Sequence, residues 1–254
     1  QGAINCAEEI SSWIAGPTEV SRSHENCGRV QDPYSLRCAP QVHGVIWEAL
    51  DWSEKILKNE INSSTDNPLV FADDETSLSG GNFHALYTAR VSDNLASALT
   101  TLASISERRT ALLMSKETSL LPAFLTPNGG LNSGFMMAQV TSAALVSESK
   151  TLSFPASVDS IPTSDDREDH VSMGVGAGIK LQQIVQNLEH VLSIEILAAA
   201  QAIDLLRPLK TSPRLERVHS IIRKSVAKLD RDRNLSVDFK NLASLIEGEH
   251  LLGF

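Results

Sequence analysis

The sequence predicts an all-α protein: long antiparallel helices in a bundle, with polar loops that carry the candidate site residues. Three observations predict it. Apolar residues recur at helical spacing over four long segments. No alternating strand pattern of comparable length occurs. Aromatic residues make up only 5% of a chain whose hydrophobic fraction is 42%, so the core must rest on Leu, Ile, Val and Ala, as in many packed helices. At 254 residues the chain is long enough to bury a sizeable core.

The elements follow in order. Residues 41–58 place Val42, Val45, Ile46, Ala49, Leu50, Ser53, Ile56 and Leu57 on one helical face. From 86 to 115, Val91, Leu95, Ala98, Leu102, Ile105 and Leu112 form an a/d seam, and no Gly or Pro falls between Gly81 and Pro122. Residues 133–152 make a third helix, entered from Gly129-Gly130 and ended before Pro155. Residues 173–206 make the longest, with Leu181, Ile184, Val185, Leu188, Val191 and Leu192 leading to an Ala-rich stretch that stops before Pro208. A last helix starts at Ser212-Pro213, an N-cap followed by proline at the first position, and carries Leu215, Val218, Ile222 and Leu229 on its face. A short hairpin, Leu69-Val70-Phe71 with Thr76-Ser77-Leu78 around Asp73-Asp74, is the one strand signal. The organisation read from this pass is one helical unit over 1–254. Residues 1–40 are an opening segment with a site loop, and 41–254 form the bundle.

Charge and composition exclude several partners. A net charge of −9, from 31 acidic and 22 basic residues, argues against nucleic acid, whose phosphates need a basic face. No run approaches the ~18 apolar residues of a membrane span. Cys6, Cys27 and Cys38 are odd in number and lack metal-ligand spacing, which fits reduced thiols in a cytoplasmic setting.

The polar side chains that a bundle does not require are concentrated in loops, where rigid helices can hold a site. The strings are QDPYSLRC (31–38), NSSTDNPLVF (62–71), LSGGNFH (78–84), NGGLNSGFM (128–136) and SVDSIPTS…EDHVSM (157–173), with SERR (106–109) on a helix. Together, in this order, they resemble successive signatures of the histidine ammonia-lyases, within the aromatic amino acid lyases, across residues 24–233. EDHVSM resembles the histidine branch more than the phenylalanine lyases.

The resemblance implies the C-terminal helical portion of an ammonia-lyase that converts L-histidine to urocanate. It further implies a homotetramer with shared active sites, and a 4-methylidene-imidazole-5-one cofactor formed from an internal Ala-Ser-Gly. This sequence contains no Ala-Ser-Gly, so the cofactor and the principal base are expected from an N-terminal half acting as partner. By resemblance Arg37 is the substrate carboxylate clamp, suited by its planar fork. Gln31 also binds substrate, Tyr34 and Glu168 are catalytic, and Asn67, Asn82 and Phe135 neighbour the cofactor. The 31, 34, 37 spacing suggests one face of a tight helical turn. No metal site is expected, and His84 and His170 are read as structural or supporting, as are the charges of SERR. One departure stands out: Ser164-Asp165-Asp166-Arg167 replaces a family string like Ser-Ala-Asn-Gln, putting a cation beside Glu168, with Asp166 expected to pair with it. Alternatives are a lyase or aminomutase for another aromatic amino acid, or a non-catalytic assembly partner. A fumarase-type lyase ranks last, since its Met-Pro-x-Lys-x-Asn loop is missing.

Overall fold

A computed structural model describes residues 1–23, 25–28 and 30–251. Its long helices are α1 (Gly2–Trp13), α4 (Ala39–Ile61), α5 (Leu86–Met114), α7 (Met136–Leu152), α8 (Gly174–Leu205), α9 (Pro213–Ser225) and α10 (Ser236–Glu247). Single turns α2 (Glu19–Arg22), α3 (Tyr34–Arg37) and α6 (Lys116–Ser119) and a 3-10 turn (Ala123–Leu125) lie between them. Strands β1 (Leu69–Phe71) and β2 (Thr76–Leu78) pair antiparallel, Leu69 opposite Leu78, as the hairpin signal predicts. The all-α class holds.

The direction of packing is more specific than expected. α4 runs antiparallel to α5, with His43 near Arg109 and Trp52 near Asp93. α7 does likewise, with Gln139 against Glu107 and Ser149 against Thr100. The two longest helices, α5 and α8, run parallel: Ala89 lies by Gly174 and Ser106 by Glu195. The chain returns through α7 before α8 begins, so both long helices point the same way.

The seam of α5 also differs from the apolar reading. Its most buried line is Ala89, Asp93, Ala96, Thr100, Ala103, Glu107, Thr110 and Met114, in steps of four and three. Val91 and Ile105 are buried beside it, while Leu95, Leu102 and Leu112 are half-buried. Small residues let neighbouring backbones approach, and the polar ones find partners: Thr100 donates to the Ser149 carbonyl at 3.3 Å, and Glu107 accepts from Gln139 at 2.9 Å. The main core gathers the C-terminal half of α8 with Leu125, Phe135, Ile222, Val226, Leu229 and Leu242. A second cluster joins Ala103, Val146, Leu188 and Val191.

The last predicted helix is corrected. Ser212 caps it, accepting the Leu215 N–H at 3.3 Å, but α9 ends at Ser225 and Leu229 lies beyond it. The side-chain amide of Gln201, fully buried, takes over the hydrogen bonding there. It donates to the Leu229 and Leu125 carbonyls and accepts the Leu229 N–H, at 3.0, 3.3 and 3.0 Å. A buried backbone so satisfied has no need of a helix. α1 and α10 were not expected from the sequence. Among the described residues no helix is long and apolar enough to cross a membrane, and the three cysteines are free thiols.

Candidate active site

α3 is the first part of the site. Pro33 fixes the chain ahead of a single helical turn that carries Tyr34 and Arg37. The Arg37 Cζ lies 4.6 Å from the Tyr34 ring centroid, a cation–π stack on a ring that is 70% exposed. Gln31 is exposed and precedes the turn, and of the three residues expected on one face Tyr34 and Arg37 make a ring contact.

The hairpin loop is the second part. The Asn67 Oδ1 accepts the Gly80 N–H at 3.0 Å and the Ser79 hydroxyl at 3.2 Å, and the Asn82 Nδ2 donates to the Ser64 carbonyl at 3.2 Å. These bonds close the 62–84 loop across its base. They leave the Asn67 Nδ2 and the Asn82 Oδ1 without a partner among the described residues, a donor and an acceptor at the surface. A cavity of about 370 Å³ opens beside Asn82 and His84, lined also by Ser63, Thr65 and Tyr87.

Glu168 belongs to the third part. Thr163 and Glu168 bridge backbone to backbone, with N···O distances of 3.1 and 3.3 Å. The reversal between them uses three successive left-handed residues, Ser164, Asp165 and Asp166, with φ of 55°, 55° and 59°, a conformation costly for residues with a Cβ. The Glu168 carboxylate closes the reversal, accepting the Thr163 and Ser164 hydroxyls at 2.5 and 2.8 Å. Those bonds hold its carboxyl below the ordinary glutamate range. The expected pairing of Asp166 with Arg167 is not formed. The Arg167 backbone N–H closes the turn on the Ser164 carbonyl at 3.2 Å, and among the described residues its guanidinium forms no ion pair with Asp166.

Phe135 lies elsewhere. Its ring is 1% exposed and packs into the main core. It is core packing in this chain, and the cofactor-neighbour reading finds no open face there. SERR behaves as its ion-pair reading expects. Arg109 forms a two-pronged pair with Glu195, which also accepts the Ser106 hydroxyl at 2.5 Å, and Arg108 pairs with Glu107. Among the described residues no cluster of three metal-ligating side chains occurs.

The structure therefore forms two groupings. The hairpin loop and the Glu168 loop meet through His84, whose Nε2 lies 3.0 Å from the His170 carbonyl. Tyr34 and Arg37 form the other, and among the described residues no hydrogen bond, ion pair or ring contact joins them to Asn67, Asn82 or Glu168. Sequence reasoning missed the Thr163–Ser164 clamp and the loop anchor Asp93. Asp93 was hidden because it lies off the apolar seam marked by Val91 and Leu95, on the small and polar line that only the packed helices bury.

The pattern of the family described as aromatic amino acid lyase matches residues 1–224. The chain belongs to this family. It is 50% identical, over 99% of its length, to the histidine ammonia-lyase of Yersinia enterocolitica, of which it covers 50%. It superposes on the histidine ammonia-lyase of Trypanosoma cruzi with a TM-score of 0.84 at 43% identity, over 98% of this chain and 52% of that one. On the tyrosine aminomutase of Streptomyces globisporus the TM-score is 0.88 at 32% identity, over 99% and 51%. This lyase-family chain thus spans about half the length of the relatives it matches.

Proposed function

We propose that this chain is the C-terminal portion of an ammonia-lyase that eliminates ammonia from L-histidine to give urocanate, a carbon–nitrogen lyase active only with an N-terminal half. The observation that carries the reading is the Tyr34–Arg37 stack on one helical turn, in a chain half identical to a histidine ammonia-lyase. The exposed guanidinium offers a fork of donors for the substrate carboxylate. The Glu168 carboxylate, kept ionised by its two hydroxyl donors, supplies a fixed anion for the cationic end of an amino acid. Asn67 and Asn82, with their unpartnered donor and acceptor, suit the amide-like oxygens and nitrogens of 4-methylidene-imidazole-5-one. When bound, that group is an electrophile that activates the substrate amine, and it comes with the partner half. Tyr34 and Arg37 stand apart from Asn67, Asn82 and Glu168, which favours sites shared between chains in a tetramer of cytoplasmic assemblies. The aminomutase likeness favours, as second reading, another aromatic amino acid as substrate.

The test mixes this chain with an N-terminal half carrying Ala-Ser-Gly and follows urocanate absorbance. The mixture should turn over histidine and the isolated chain should not. Arg37→Lys keeps the charge but loses the fork, so kcat/KM should fall about 10- to 100-fold, the equivalent of a charge-assisted hydrogen bond at roughly 1.4 kcal/mol per decade. Turnover by the isolated chain, or an Arg37→Lys mixture at full rate, would overturn the reading.

A further inference from the structure

Two histidines lie where the hairpin loop meets the Glu168 loop. His84 ends the LSGGNFH string just before α5, and His170 follows Glu168 by two residues. Their rings stack with centroids 5.4 Å apart and planes 20° apart. The His84 Nε2 lies 3.0 Å from the His170 carbonyl oxygen and 3.3 Å from the His170 Nδ1. A carbonyl only accepts, so in this hydrogen bond the His84 Nε2 carries the proton.

Neither of two simpler roles accounts for the pair. A metal would need further ligands, and among the described residues no third metal-ligating side chain completes a cluster. Core packing would need burial, yet His170 is exposed and His84 only half-buried. What the pair does is tie positions 86 residues apart. On one side of the tie stands Asn82. On the other, the segment is already a unit: the Val171 N–H donates to the Ser160 hydroxyl at 2.9 Å, and Thr163 bridges Glu168. Fixing the His170 carbonyl therefore fixes the reversal that holds the Glu168 carboxylate.

We propose that His84 is a positioning residue, whose Nε2–H grips the His170 carbonyl and sets the Glu168 loop against the Asn82 loop. Its catalytic meaning rests on the lyase reading above, whereas the grip is a property of this chain alone. The first measurement is accordingly amide hydrogen exchange on this chain without substrate, for the wild type, His84→Gln and His84→Phe. Glutamine extends an N–H donor to the same carbonyl, while phenylalanine keeps a flat ring and donates nothing. His84→Phe should exchange residues 163–171 about tenfold faster, one hydrogen bond's worth, and His84→Gln should stay within about threefold of the wild type on the same scale. Amides 184–197 of α8 should be unchanged in both, which verifies folding. An unchanged loop in His84→Phe, or His84→Gln exchanging as fast as His84→Phe, overturns the grip.

The second measurement is steady-state kinetics on the chain assembled with the N-terminal half. His84→Phe should lower kcat about tenfold with little change in KM, since Arg37 still captures the carboxylate, and His84→Gln should restore it. A KM effect alone would overturn the positioning role. If the wild-type assembly is inert, the lyase reading fails while the exchange result still decides the grip.

Discussion

The Asp93 carboxylate, 7% exposed on α5, accepts the backbone N–H groups of Ala156 and Ser157 at 3.1 and 2.7 Å. It thereby anchors the first residues of the loop that leads to Glu168. Burial acts to raise its pKa, but the hydrogen bonds from Ser157 and Ala156 and the nearby Lys180 charge outweigh it, and the carboxyl is held below the ordinary aspartate range. A folded-state pKa below the unfolded value of about 3.9 contributes stability above that pH and loses it as the pH falls through the folded value. Asp93→Asn should therefore destabilise the chain at pH 7 by about 1–3 kcal/mol, since one loop amide loses its charged acceptor. Urea unfolding at pH 7 and at pH 3 checks this: the gap between wild type and variant should be smaller at the second than at the first. An equal gap at both would show that the carboxylate's charge is not what holds the loop. Arg37 and Glu168 were legible in the sequence because their strings resemble a family's. The Thr163 and Ser164 hydroxyls on Glu168 were not, because a clamp made by a left-handed turn depends on backbone angles that Ser and Asp rarely adopt.

Where α1 crosses α4, two glycines replace side chains. A Cβ on Gly44 would stand 2.3 Å from the Ala3 nitrogen and 2.5 Å from the Gly2 carbonyl carbon, and one on Gly2 would stand 2.3 Å from the Gly44 oxygen. Helix propensity favours alanine over glycine by about 1 kcal/mol, while forcing packed backbones apart costs about 1–3 kcal/mol. Backbone atoms cannot rotate away as a flexible side chain can, so the clash should win. Gly44→Ala should lower Tm by several degrees, at about 2–4 °C per kcal/mol for a chain of this size. A calorimetric Tm equal to or above the wild type would mean that the crossing opens at no cost. This crossing was hidden from periodicity, which weighs large apolar residues. The same blindness displaced the α5 seam: Val91, Leu95 and Leu102 mark the apolar face, yet Ala96, Thr100 and Ala103 lie deeper, because close helix packing selects small residues.

The surface of the whole chain carries large apolar side chains beyond what an isolated bundle needs. Val175 and Ile179 near the start of α8 are 81% and 63% exposed, Leu131 is 85% exposed, and Val45, Leu50 and Trp52 lie open along α4. Exposed apolar area on this scale marks surfaces that associate. Part of the predicted α4 face thus stays exposed, Val45 at 65% and Leu50 at 44%, whereas Ile46 is buried. Mixed with the N-terminal half, the chain should form a hetero-octamer, four copies of each, by multi-angle light scattering at micromolar concentration. A one-to-one complex that does not grow would instead mean that a single N-terminal half covers these faces.

The sequence by itself determined the class, four of the long helices, the β1–β2 hairpin, the Ser212 cap and the loop strings through which the family was legible. Each of these depends on local chemistry: period, caps, turn residues and short ordered motifs. Only the tertiary structure decided that α5 and α8 run parallel, that α9 stops at Ser225 and the buried Gln201 amide binds Leu229 beyond it, that Phe135 is core, and that His84 meets His170. Those outcomes arise from residues far apart in the chain competing for the same buried space and the same hydrogen bonds, and no window of sequence contains both competitors.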